Sequence, residues 1–237
     1  MPSVHMFIWR VSRGNVLRAG SHMGLDPRAF RADDRVRFAK ALGTGSGRTF
    51  TIRDADTRQW ATLIALRDDC DNSVIDELTP IKQWRELCEE SLHLRLRPLV
   101  SRGSWAGHEP FADGSSSKPS DAGGSPMNGP IAAITRARVK ARYWRRFNSE
   151  VPPVSTDLHR NPDLLAAIGI GEYPVGLQGT FSIWRNSAAI NAFAYRADAH
   201  KHAIDLTSRL DWYAEEMFTR FAVESAEGTL KGVNPLE

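Results

Sequence analysis

Residues Val4–Val11 are apolar at nearly every position, and His93 to Val100 alternates Leu94 and Leu96 with Arg95 and Arg97. The first pattern predicts an apolar strand, the second a half-buried one. Residues 16–42 predict a helix and connection ending in a glycine-rich turn at Gly43-Thr44-Gly45, and 60–66 a compact strand. Over 72–91, Ile75, Leu78, Ile81, Trp84, Leu87 and Cys88 recur at helical spacing, with Pro80 interrupting the helix and opening a new first turn. The later chain repeats this order. It predicts a strand over 131–136, a helix within 142–166, a glycine turn at 169–171, a strand over 179–184, a helix over 187–216 and a strand over 218–223.

Short matches support a duplication. Ile8-Trp9-Arg10 aligns with Ile134-Thr135-Arg136, and Ala41-Leu42-Gly43-Thr44-Gly45 with Ala167-Ile168-Gly169-Ile170-Gly171, both at an offset of 126. Thr62-Leu63…Arg67 aligns with Thr180-Phe181…Arg185 at 118, and Gly103…Gly107…Pro110 with Gly228…Gly232…Pro235 at 125. Each half reads βαββαβ, the ferredoxin-like order. The expected fold class is therefore α+β: two tandem ferredoxin-like modules packed sheet to sheet as a fused dimeric α/β barrel. The expected modules are 1–112 and 130–237. Between them, 113–129 is Ser, Gly, Pro and Asp, a flexible linker.

Composition narrows the function without choosing it. The 237 residues carry 31 Lys and Arg against 28 Asp and Glu, a net charge of +3, too mild to imply nucleic acid. The densest basic stretch, Arg136 to Arg146 with Tyr143 and Trp144 inside it, reads as a solvated face or as a surface touching anionic lipid headgroups. No apolar run reaches membrane-spanning length, and no secretory leader is expected. Cys70 and Cys88 suit a reducing cytoplasm and lack zinc spacing. Gly20-Ser21-His22-Met23 resembles a tag remnant, but it lies within the repeat register and is read as native.

The second module's last helix holds the best candidate for chemistry. His200 shares a face with Phe193, Ala197, Ala203, Ile204 and Thr207, whereas His202 falls with Asp198, Asp205 and Arg209. A histidine on the apolar stripe needs a partner for each ring nitrogen or a metal, so core packing and ligation both stay open. The first module's equivalent stretch has no histidine, as expected of one active site in a twofold scaffold. Gly43 to Arg48 lacks the spacing of a phosphate loop, and Cys88 reads as a buried structural thiol. Most of the seven tryptophans, among them Trp9, Trp60, Trp84, Trp184 and Trp212, read as core, although an aromatic-lined pocket for a long apolar ligand uses the same residues.

Five segments carry a resemblance to a known family. They are Ala41 to Phe50 (ALGTGSGRTF), Gly176 to Arg185 (GLQGTFSIWR), Phe193-Ala194-Tyr195-Arg196 with His200, Trp212 to Phe221 (WYAEEMFTRF), and Glu227-Gly228-Thr229…Gly232…Pro235-Leu236. In this order they resemble the spheroidene monooxygenase family across nearly the whole chain. The resemblance implies an oxygen-dependent, haem-containing enzyme that introduces a keto group at C-2 of acyclic carotenoids. It makes His200 the axial ligand of a haem b iron. Tyr195 and Arg196 then meet a propionate or seal the haem edge, and Arg48 and Arg185 serve the distal or propionate side. The implied partners are a hydrophobic substrate, oxygen and an electron-donor protein, with the chain a monomer or homodimer, cytoplasmic or peripheral to the inner face of the membrane. The other readings are a haem dehydratase or peroxidase acting on a small nitrogen-containing metabolite, and a non-catalytic carrier of haem or an apolar ligand.

Overall fold

The structure, a computed structural model, describes residues 2–45, 54–111, 129–172, 177–196 and 210–237, with the backbone alone at 148, 150, 177, 178, 195 and 196. The first half runs β1 (Val4–Val11), α1 (Val16–Arg31), β2 (Val36–Gly45), β3 (Ala55–Leu66), α2 (Val74–Glu77), α3 (Thr79–Leu87) and β4 (Cys88–Gly103). The second runs β5 (Ile131–Val139), α4 (Trp144–His159), β6 (Leu164–Gly171), β7 (Leu177–Trp184), α5 (Ser187–Arg196) and β8 (Tyr213–Gly228). All strand pairs are antiparallel, and the eight strands close in the order β1-β3-β2-β6-β7-β5-β8-β4. Each half contributes a four-stranded sheet with the ferredoxin-like neighbour order, and the two join edge to edge.

These edges correct one expectation. Both glycine blocks expected as turns lie within strands: Gly43 pairs with Gly171, Thr44 with Ile170 and Gly45 with Gly169, joining β2 to β6. A Cβ on Gly45 would stand 3.0 Å from the Asp54 carbonyl oxygen, so a bare backbone suits this crowded edge. At the other seam β4 and β8 pair from Leu92–Gly228 to Gly103–Met217. Gly103 and Gly228 both hold φ above +80°, and a Cβ on either would meet a carbonyl oxygen at 2.1 Å. The loops that follow match as well. Glu215 accepts from the Gly107 N–H, as Glu90 does from the Gly232 N–H.

Strand pairing shifts one repeat match. Phe7 pairs with Thr62 and Ala133 with Ser182, so Ser182, not Thr180, is the counterpart of Thr62. A two-residue slip keeps the same face, which is why the sequence pattern could not detect it. Two helical spans also end earlier than expected. Pro80 opens α3 after a break at Leu78, and Cys88 already belongs to β4. In the second half Tyr213 to Glu216 belong to β8 rather than to a helix.

The barrel interior is apolar, built from inward residues such as Met6, Ile8, Leu63, Leu94, Ile134 and Phe221. Outside it, α1 and α3 cover the first sheet, with Phe7, Trp9, Phe30, Ile64, Ile81 and Trp84 between them. A smaller cluster around Ile131, Leu158, Trp184 and Ile190 fills the second layer. Among the described residues no helix is long and apolar enough to cross a membrane.

Candidate functional site

The second helix–sheet layer contains a cavity because its floor has been reduced. With Ile8 matched to Ile134, the outward residues Phe7, Trp9 and Val11 of β1 correspond to Ala133, Thr135 and Ala137 of β5. On the next strand Trp60, which pairs with Trp9, corresponds to Thr180, which pairs with Thr135. In the first half this space is filled: Phe7 stacks on Trp9 at 4.8 Å between ring centres, and Trp9 on Trp84 at 5.8 Å. In the second half the same level holds a methyl, a small hydroxyl side chain and a methyl. The described residues there line an open cavity of about 210 Å³.

Its floor is Ala133, Thr135 and Ala137 with Gly179, Thr180 and Ser182 of β7. Gly179 is required on this floor, since a Cβ there would approach the Thr135 carbonyl oxygen to 2.6 Å. The roof is one face of α4, where Phe147, Val151, Val154 and Leu158 recur at helical spacing, and Ile190, Phe193 and Ala194 of α5. Trp212, Tyr213 and Phe218 close one end, with Phe147 edge-on to Trp212 at 5.4 Å. No charged side chain lines the cavity among the described residues. Its polar groups are hydroxyls. Ser182 Oγ accepts from Trp184 Nε1 at 2.9 Å, which leaves its own proton to donate.

An ion network centred on the buried Arg136 lies across the sheet from this floor. Arg136 shares the inward parity of Ile134, and its guanidinium donates to Glu215 Oε2 at 2.6 Å and Glu172 Oε1 at 3.0 Å. Lys40 from the first half also reaches Glu172 at 2.7 Å, and Trp105 donates Nε1 to the same carboxylate. Burial opposes ionisation of Glu215. The Gly107 N–H and Arg136 outweigh it and hold the carboxyl at about 2. Glu172 is likewise lowered, burial being overcome chiefly by Lys40. The network pins the second half's floor strand to the first half's β2.

The residues expected at the site fare differently. Arg48 and His200 lie outside the described residues, as do 113–128 of the expected linker. Tyr195 and Arg196 end α5, the helix whose Ile190, Phe193 and Ala194 face the cavity. Arg185 stands on the solvent side of Trp184, 62% exposed, with Nε 3.2 Å from Asp163 Oδ1. Of the basic stretch, Arg136 turns into the barrel, Lys140 is tied to Asp211 at 2.7 Å, and Arg142 lies over the Tyr143 ring. Arg138, Arg142, Arg145 and Arg146 are exposed. The cavity floor was not singled out from sequence, although Phe7-Ile8-Trp9 beside Ala133-Ile134-Thr135 already records the loss of bulk. Among the described residues no three His, Cys, Asp or Glu gather as a metal cluster.

No established family profile matches the chain. Similar curated proteins do. A spheroidene monooxygenase from Rhodobacter capsulatus is 36% identical over 217 residues, 91% of this chain and 87% of that protein. One from Rubrivivax gelatinosus is 36% identical over 83% of this chain and 72% of its own length. Among solved structures, a crystal structure of aldoxime dehydratase superposes with a TM-score of 0.59 over 99% of this chain and 86% of that one. At 8% identity that likeness concerns the fold.

Proposed function

Because the chain belongs to the spheroidene monooxygenase family, we propose that it is a haem-dependent monooxygenase acting on an acyclic carotenoid or a similarly extended apolar substrate. The observation that carries this reading is the apolar cavity of the second half, opened where the repeat has lost two tryptophans and a phenylalanine from its floor. The lining suits an apolar ligand: its walls are aliphatic and aromatic, and among the described residues no charged side chain faces it. In this proposal His200, four residues beyond the end of α5, would hold the haem iron. Tyr195 and Arg196 are assigned to the propionate edge. Arg48 is kept as a distal or propionate candidate, and Arg185, held by Asp163, as a residue of the outer rim.

Haem, when bound, supplies the oxygen-activating centre. The chain's own residues supply the setting. Phe147, Val151 and Leu158 give the floor an apolar roof. Ser182 holds a proton on Oγ that no described acceptor takes up, and Thr135 and Thr180 offer two further hydroxyls on the same floor. Tyr213 and Phe218 give an elongated apolar substrate aromatic surface to lie against. Oxygen and a reduced electron donor complete the reaction.

The test is a visible spectrum of protein produced with ample haem, beside His200→Ala prepared identically. A Soret band in the wild type that is lost or shifted in the variant supports histidine-ligated haem, and oxygen uptake with carotenoid substrate then tests turnover. No band in either protein, with the fold intact by circular dichroism, discards the haem reading.

A further inference from the structure

Helix α1 turns an unusual face to solvent. Leu17 is 89% and Leu25 62% exposed, two of four large apolar side chains so exposed among the described residues. A lone exposed leucine needs no account. These two lie two turns apart on one helix face, about 12 Å along its axis. Arg18 and Arg28 share that face and Arg31 borders it. Arg13 precedes the helix. None of Arg13, Arg18 and Arg28 forms an ion pair among the described residues, so their charge is available to an outside partner.

The only acidic residue of α1 is withdrawn from this face. Asp26 is buried, taking the Trp84 indole N–H at 2.8 Å and facing His22 Nδ1 at 2.8 Å. Asp33 and Asp34 lie beyond the helix, Asp33 bound by Arg35. On the adjoining α3, Arg85 is held by Asp76, with Lys82 and Glu86 exposed. The repeat does not share the pattern: α4 has the same length, and positions 17 and 25 correspond there to Arg145 and Pro153.

We propose that the outer face of α1 docks on an anionic lipid bilayer, with Leu17 and Leu25 entering the interface and the flanking arginines meeting phosphate headgroups. The face is the outer side of a helix, with exposed leucines flanked by arginines that no described carboxylate pairs. A bilayer conforms to such a shape, whereas a protein partner would need a matching concavity. Docking of this kind depends on lipid charge and is weakened by salt.

The experiment is co-sedimentation of the full chain with vesicles of phosphatidylglycerol and phosphatidylcholine, or of phosphatidylcholine alone, at low and high salt. The wild type should bind the anionic vesicles at low salt, with binding about tenfold or more weaker on neutral vesicles or in 0.5 M salt. Arg18→Glu/Arg28→Glu and Leu17→Ser/Leu25→Ser should each reduce binding by about tenfold or more. Both pairs are exposed, and thermal melting verifies that the fold is kept. Equal binding by the variants, binding to neutral vesicles alone, or no binding overturns the proposal. So does a wild-type dimer that the leucine pair converts to monomer, which would make this face a self-contact.

Discussion

The two helix–sheet layers share strand order, the length of the first helix and end loops, yet among the described residues one is filled and the other lines a cavity. The first holds Phe7, Trp9, Trp84 and Phe30 against its helices. The second holds Ala133, Thr135 and Ala137 beneath α4 and α5. The barrel seams remain nearly symmetric, with glycines at +82° and +86° starting matched loops. A duplicated scaffold has thus kept the contacts that close it and varied the layer where one copy suffices for structure. Stability resides more in the first layer, and room for chemistry in the second.

The strongest way to break this contrast is to refill the second floor. Thr135→Trp restores the side chain found at the matched position of β1, and cavity and indole compete for one volume. If haem binds here as proposed, its uptake should fall at least about tenfold, with complete loss the more natural result for an occluded pocket. The melting temperature separates occlusion from misfolding. A variant that folds and takes up haem as the wild type does would place the cofactor elsewhere.

The reverse change tests the filled layer. Trp9→Ala removes a 1% exposed indole that stacks on Phe7 and Trp84 and donates to Thr62 Oγ1 at 3.0 Å. The expected cost is about 3–5 kcal/mol by denaturant unfolding, against less than about 1 kcal/mol for Thr135→Ala, whose side chain already borders empty space. Equal costs would mean that the second layer is better packed than its cavity implies.

Sequence reached the scaffold further than the site. Alternation in Leu92, Leu94 and Leu96 and the apolar run of β1 locate strands because a barrel wall imposes a period of two. The glycine blocks misled because local chemistry suggests turns, whereas their role comes from a distant strand: Gly43 faces Gly171, 128 residues away. The helix read through Glu216 overran for a related reason. The Tyr213–Glu216 segment pairs with β5, a contact invisible to a local pattern. The cavity was legible in principle, since it is an absence that only the repeat comparison shows. His200 and Arg48 lie outside the described residues, so their assignment still rests on resemblance.

Arg10 and Arg136 are matched positions that sharpen the contrast in electrostatics. Arg136 is 5% exposed and serves two carboxylates, whereas Arg10 is about a third exposed with one contact to Asp56 at 3.3 Å. Arg136→Met leaves the partly buried Glu172 and Glu215 without their shared cation, although Lys40 and the Gly107 N–H remain. The expected loss is about 3 kcal/mol, the low end for a broken buried pair. Arg10→Met should cost less than about 1 kcal/mol, as exposed pairs do. Urea unfolding of both variants measures the difference, and a loss at Arg10 as large as that at Arg136 would contradict it.

A further contrast concerns pH dependence, again in the filled half. His5 and His93 sit 3.0 Å apart on neighbouring strands, His93 stacked on Phe7, where the second half has Ile131 at the position of His5. Burial lowers both imidazoles from 6.5 to about 4, with the charge of His5 adding to the shift at His93. The unfolded chain therefore binds protons that the fold refuses between about pH 6.5 and 4. Stability is full above that window and declines through it as pH falls, by about 1.4 kcal/mol per pH unit for each imidazole. Glu215 extends the decline in the same direction, from its ordinary 4.5 toward about 2. His5→Ile imitates the second half and removes both one proton site and the charge that depresses His93. The fall in urea midpoint between pH 7 and pH 5 should then shrink by at least about half. An unchanged fall would assign the acid sensitivity to the carboxylates rather than to the histidine pair.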